Sequence, residues 1–228
     1  MRRGLLIGLA CLAGAVAPLA LAARDDKGVK GDAAAVPSAF RSFIVADDRF
    51  APKVTPVKSP EDRDPRDRTD KMHCLVCEYG LNPSAIVFTR ATPAEDGPAA
   101  KLVKQLDLVA QGREARANSF GAAAVFLTLE AEYPADTARN DKGEFLREEK
   151  AKQVKDLATQ LKTPRVAFGL AAKASPTLTE WGVADADETV VVLYNRLRIV
   201  KRWNFAAGGP SDDEVKAVTA AVKSESVK

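Results

Sequence analysis

The sequence is short of the side chains that most often carry enzyme chemistry. Among 228 residues there is one histidine, His73, and there are three cysteines, Cys11, Cys74 and Cys77. With a single histidine and no spaced acidic pair in a recognisable motif, hydrolase triads and histidine-rich metal enzymes have no support. Charge of one sign is lacking too. The 34 basic and 31 acidic residues leave a net charge of +3, which supplies no strong field for nucleic acid or an anionic membrane. Glycine and proline, 14 and 13 residues, are too dispersed for a low-complexity chain. What remains is 46% hydrophobic and 29% charged, the balance of a soluble chain with a proper core.

A long apolar run is also missing. Residues 4–16 carry no charge, but glycines and Pro18 interrupt the segment, and it falls short of the ~20 residues a spanning helix needs. Preceded by Arg2 and Arg3 and followed by Ala20-Leu21-Ala22, it reads as a signal peptide over residues 1–23. Cys11 lies inside it, and Gly8-Leu9-Ala10 lacks the aliphatic residue that a lipoprotein signal places three positions upstream. The expectation is an exported protein, periplasmic or extracellular, with no stable membrane span once the signal is cleaved. The mature chain then keeps only Cys74 and Cys77. In an oxidising compartment such a close pair tends to become a disulfide.

Residues 24–71 read as an N-terminal extension. A polar and alanine-rich leader is followed by a short strand at 40–46, ended by Asp47-Asp48. Pro52, Pro56 and Pro60 then lead into a mixed-charge run at 58–71 with little to bury, which reads as a solvated linker. From residue 72 to 228 the pattern is that of a domain. Residues 85–89 form a short buried strand. Ala99, Leu102, Val103, Leu106 and Val109 recur at helical spacing up to Gly112. Residues 122–129 give a second strand, 145–161 an amphipathic helix stopped by Pro164, and 166–170 a third strand. Ser175-Pro176 opens a short helix to Trp181-Gly182. Strands at 189–194 and 197–205 are joined at Asn195-Arg196, where Asn195 tolerates positive φ. Ser211 and Glu214 form a capping box for a last helix that buries Val215, Val218 and Val222.

The order strand, helix, strand, helix, strand, short helix, hairpin, helix implies an α/β protein with one mixed sheet between helical layers. In this layout, and in Thr179-Glu180-Trp181-Gly182-Val183 leading into Thr189-Val190-Val191-Val192-Leu193-Tyr194, the sequence resembles the thioredoxin-like superfamily. Within it the chain is most similar to peroxiredoxins and cytochrome-maturation thiol reductases, which carry an extra strand and short helix before the hairpin. The resemblance covers roughly residues 85–223. It implies a three-layer sandwich with a C-terminal β-hairpin and a final helix.

The resemblance also implies a cysteine pair after the first core strand, at the amino end of the next helix, and a cis-proline before the hairpin. The loop at 90–98 has no cysteine, and no proline occurs between Pro176 and Pro210. The usual site is absent, and peroxidase chemistry of the peroxiredoxin type goes with it. The pair Cys74-Leu75-Val76-Cys77 instead precedes the first core strand, so the chain should place it at the far end of that strand from the family's usual chemistry. In an extended strand the two cysteines stand ~10 Å apart, too far for a disulfide; in a turn or helix start they can close. Gly80 and Pro83 favour the turn.

Four uses of this stretch stay open. The cysteines are a structural disulfide, or a redox pair exchanging disulfides with a protein thiol partner, or, with His73, ligands of zinc or copper completed by Glu78, water or a second subunit, or they serve a small-molecule or sulfur chemistry that the residues do not specify. Covalent haem requires a histidine after the second cysteine, where Glu78 stands. In the redox case the more exposed thiol attacks, and Cys74, beside His73, is the expected attacker with Cys77 resolving. The alternative from another class is a non-enzymatic thioredoxin-like binding module. Trp181 and Trp203 are read as packing at the helix–sheet boundary, Tyr79 as a cover over the cysteines, and Asp185, Asp187 and Glu188 as a solvated loop.

Overall fold

The computed structural model describes residues 34–50, 64–91, 94–112, 120–130 and 141–226. The expected signal segment with Cys11, and residues 51–63 of the proline- and charge-rich run, lie outside the described residues. Seven strands form one sheet: β1 Arg41–Ala46, β2 Lys71–Cys74, β3 Ser84–Thr89, β4 Gly121–Leu129, β5 Ala167–Ala172, β6 Thr189–Asn195 and β7 Arg198–Phe205. Their order across the sheet is β2-β1-β5-β4-β3-β6-β7. The inner strands β3, β4 and β5 are parallel, and β6, β7, β1 and β2 each join antiparallel to their neighbours. The short strand read at 40–46 is therefore not peripheral: it lies between β5 and β2.

The helices are α1 Leu75–Tyr79, α2 Pro98–Gln111, α3 Asp141–Leu161, α4 Pro176–Glu180 and α5 Asp212–Glu225. The connections β3–α2–β4 and β4–α3–β5 step across the sheet in one direction, so right-handed crossovers place α2 and α3 on the same face. There Leu102, Leu106, Val154 and Leu157 meet Val87, Phe126 and Phe168, and α5 adds Val215, Val218 and Val222. Alternate residues of the same strands, Ile86, Phe88, Val125, Val192 and Tyr194, point to the opposite face. They pack there against Leu75, Val76 and Tyr79 of α1, Phe40, and Leu178 and Trp181 at α4. This is the expected three-layer α/β arrangement, including the extra strand β5 and short helix α4 before the hairpin.

Local signals were mostly faithful. Ser175 caps α4 by accepting from Leu178 N–H, and Ser211 and Glu214 make the full capping box of α5. The hairpin turn differs by one residue from the sequence expectation. Asn195 ends β6, and Arg196 (φ 51°) and Leu197 (φ 58°) take the left-handed positions. A two-residue turn that matches strand twist needs positive φ at both central residues, and the β6–β7 register, with Asn195 opposite Arg198, sets which two they are.

Candidate functional site

The cysteine turn begins at the sheet's edge. In β2, Cys74 lies opposite Arg41 of β1, and Leu75 N–H donates to the Phe40 carbonyl at 3.0 Å, carrying the ladder one residue further. The chain then coils into the five-residue helix α1, with Cys74 as its N-cap. The Cys74 Sγ accepts from Cys77 N–H at 3.2 Å, the place a serine or aspartate oxygen usually fills. Residues so related in one helical turn stand about 5–6 Å apart, within the span of a disulfide. The helix ends where Gly80 (φ 57°) turns away and donates its N–H to the Val76 carbonyl.

A helix this short does not hold itself; burial of Leu75, Val76 and Tyr79 holds it. Tyr79 donates its hydroxyl proton to the Ala122 carbonyl at 2.7 Å, and its ring lies where a side chain at Gly121 would be, 2.4 Å from an ideal Cβ there. Beside it, the Arg49 guanidinium lies 5.1 Å from the ring centroid and is fixed by Asp47 at 2.6 Å. Helix α1 is thereby tied to the start of β4 and to the turn after β1.

The predicted site residues are close in sequence but face different partners. His73 Nε2 lies 2.9 Å from Glu78 Oε2, so these two residues clasp each other around the cysteines. Among the described residues no group of three or more His, Cys, Asp or Glu side chains is placed to hold a metal ion. Both cysteines are free thiols; Cys77 is exposed and Cys74 half-buried. The expectation that Cys74 is the more accessible sulfur is thus reversed, because the N-cap sulfur turns back against the second core while Cys77 faces out. Burial pushes the Cys74 thiol above its usual range and the Cys77 side chain adds to it, while the Cys77 N–H pulls the other way.

Two residues not singled out by sequence complete the setting. Gly121 leaves the space that Tyr79 fills. Tyr194 is wholly buried in the core that Cys74 packs against, opposite Ser84 of β3. Neither carries a sequence signal beyond a glycine at a strand start and a tyrosine closing an apolar strand.

The turn begins at the sheet edge and runs inward. It leaves the edge strand β2 and crosses the sheet toward the start of β3: Leu75 N–H donates to the Phe40 carbonyl, the Phe40 ring lies 4.9 Å from that of Phe88, and Tyr79 reaches Ala122 beside the start of β3. It packs on the sheet face opposite α2. Tyr79 and Pro83 reach the start of β3 and β4, where Gly121 N–H donates to the Pro83 carbonyl at 3.0 Å. At the other end of β3, Arg90 donates to the carbonyls of Asp187, Lys173 and Ala184. Asp187 accepts from Ala184 N–H and Asn204, and Glu188 from Gly208 N–H, so these acids brace loops. Trp181 packs among Phe40, Phe88 and Tyr194, and the ring of Trp203 carries Lys201 Nζ 5.0 Å from its centroid.

Strand order and helical layers define an α/β protein of thioredoxin-like layout whose cysteine pair lies in the turn that follows the edge strand β2. No protein-family model matches the chain, and no curated protein does. Among solved structures it is similar to AhpC of Mycobacterium bovis, at 17% identity over 86% of this chain and 93% of that one, with a TM-score of 0.48. It is also similar to a secreted Mycobacterium tuberculosis disulfide oxidoreductase homologous to E. coli DsbE, at 13% identity over 67% and 90%, with a TM-score of 0.41. A third is copper-bound ScoI of Arabidopsis thaliana, at 13% identity over 68% and 90%, with a TM-score of 0.41. The strand order and the two cores define the fold independently of these likenesses.

Proposed function

We propose that this is an exported thioredoxin-fold protein that exchanges disulfides with a protein partner through Cys77 and Cys74. The observation that carries the reading is the shared turn: Cys74 caps the helix whose third residue, Cys77, donates its N–H to the Cys74 sulfur while exposing its own. The Cys77 thiolate attacks one sulfur of the partner's disulfide, forming a mixed disulfide and expelling the partner's other sulfur as thiolate, which takes up a proton. Cys74 then loses its proton and attacks Cys77, forming the Cys74–Cys77 disulfide and releasing the second partner thiol. Two protein thiols are oxidised and one partner disulfide is reduced. Export rests on the pattern of residues 1–23.

Direction follows from Cys74. A thiol held above its usual range is a poor leaving group. Burial disfavours the Cys74 thiolate and so favours the disulfide-bonded form, which suits reduction of a partner. The competing reading is a binding module whose cysteines are structural. It is favoured by the His73–Glu78 clasp, which joins the imidazole Nε2 to a carboxylate and not to a thiol.

Trapping separates the two. Cys74→Ser should accumulate mixed disulfides through Cys77 with exported partner proteins, Cys77→Ser should not, and both should lose insulin reduction. A potential below about −300 mV, with insulin reduction unchanged in both variants, would end the exchange reading. Stoichiometric zinc or copper on freshly purified reduced protein would move the assignment to a metal site.

A further inference from the structure

On the sheet face away from the cysteine turn, α2 and α5 lie side by side and leave a groove of about 520 Å³ between them. Val215 and Thr219, both buried, form its floor. Lys101 and Lys104 of α2 stand on one bank, and Lys216 and Lys223 of α5 on the other. Asp212 holds Lys101 at 2.7 Å and Asp213 holds Lys216 at 2.9 Å. Lys104 and Lys223 have no ion-pair partner among the described residues. In a chain whose net charge is only +3, two unpaired cations on one groove are a local excess. One turn along α2 from Lys104, the side chain of Leu108 is 56% exposed. The floor itself offers no free donor, because Thr219 gives its hydroxyl proton to the Val215 carbonyl at 2.7 Å and no lining residue has a buried donor left over. Small anions are fixed by convergent polar groups inside a pocket; here the cations stand on the banks and the depth is apolar.

We propose that the α2–α5 groove docks an acidic amphipathic segment of a partner protein, its carboxylates on Lys104 and Lys223 and its apolar side chains over Val215 and Leu108. Charge complementarity selects this occupant. An apolar stripe flanked by carboxylates matches an apolar floor between lysine banks, as when an amphipathic helix lies in a groove. The methylene stems of the lysines add to the apolar contact. A lipid surface meets exposed convex faces, whereas the floor here is recessed between the two helices. The cysteine turn packs on the other face of the sheet, so a docked segment leaves the Cys77 thiol uncovered. The docking surface therefore stands whether or not the thiols exchange disulfides.

The test titrates the purified full-length protein into a fluorescein-labelled helical peptide with leucines on one face and glutamates on the other, and follows anisotropy. Its controls are the same peptide with lysine for glutamate, a glutamate peptide without leucines, and vesicles of phosphatidylglycerol. The glutamate–leucine peptide should bind and its lysine counterpart should not. Lys104→Glu with Lys223→Glu should weaken binding about tenfold or more, and Leu108→Ser about three- to fivefold. Lys155→Glu, on α3 and outside the groove, should leave it unchanged. Added salt should weaken binding of the unsubstituted protein and have little effect on the double variant. Lys104→Gln with Lys223→Gln should give an intermediate loss at an unchanged melting temperature, and it carries the test if charge reversal disturbs folding. Equal binding of the two leucine peptides, or binding that survives both lysine pairs of substitutions, would overturn the proposal. So would equal binding of the glutamate peptide without leucines, which marks a simple anion site. Tighter binding to the vesicles, or self-association lost in the same variants, would overturn it in favour of a lipid surface or a second copy of the chain.

Discussion

Gly121→Ala probes how α1 is held. An ideal Cβ at this position would sit 2.4 Å from Tyr79 Cγ, 2.6 Å from Tyr79 Cδ1 and 2.5 Å from Ser84 Oγ. Ser84 can rotate away; the Tyr79 ring cannot, since Arg49 lies 5.1 Å from its centroid and its hydroxyl is bonded to Ala122. Overpacking of this kind costs about 1–3 kcal/mol, and pushing the ring out also breaks the Ala122 bond, about 1–3 kcal/mol for a buried group left unsatisfied. Replacing a strand glycine by alanine returns about 0.5–1 kcal/mol. The net expectation is a loss of about 2–4 kcal/mol, or about 5–15 °C in melting temperature for a chain of this size. Urea and thermal unfolding measure it. In a Tyr79→Ala background the same substitution should cost almost nothing, so the two form a strongly coupled pair. A loss under about 0.5 kcal/mol, or the same loss in both backgrounds, would refute the account of how the cysteine turn is anchored.

Two further outcomes follow from the same geometry. Arg196→Asn with Leu197→Gly should stabilise the protein by about 1 kcal/mol or more, because both positions have positive φ and Leu197 is exposed; an unchanged urea midpoint would contradict it. Burial raises the pKa values of Tyr79 and Tyr194, so both phenols stay protonated in the folded chain after those of the unfolded chain have ionised. Their contribution is fully present below about pH 10, the unfolded value, and is lost as pH rises above it. Urea midpoints from pH 8 upward should fall beyond that point, less so in Tyr194→Phe, and a flat profile would be evidence against it.

The parts of the fold that were legible are those whose residues answer to local or two-sided burial. The apolar runs of β3, β4 and β6 face core on both sides, and α2 and α5 carry their stripes and caps within a few residues. Strand β2 was not legible. Met72 is its one strongly apolar residue, three of its four positions are only partly buried, and it exists because β1 pairs with it across a charged stretch. The turn at Cys74 and Cys77 was readable from Gly80 and Pro83, while its place in space depended on that unseen strand. For the same reason the exposure of the two sulfurs was read in the wrong order. Tyr194 and Gly121 act through residues far away in sequence, and nothing local marks them.

Strand β2 is one of the two edge strands and the shortest of the sheet, and the cysteine turn follows from its end. Separating β2 from β1 breaks one short ladder and leaves β3 to β6 intact, so local opening there requires far less free energy than global unfolding. A disulfide across the turn closes a loop of only four residues, for which chain entropy gives about 2 kcal/mol. A disulfide there links two residues of one turn and leaves the rest of the domain as it was. Because Leu75, Val76 and Tyr79 pin that turn to the sheet face, the exposed Cys77 meets a partner without the turn unfolding.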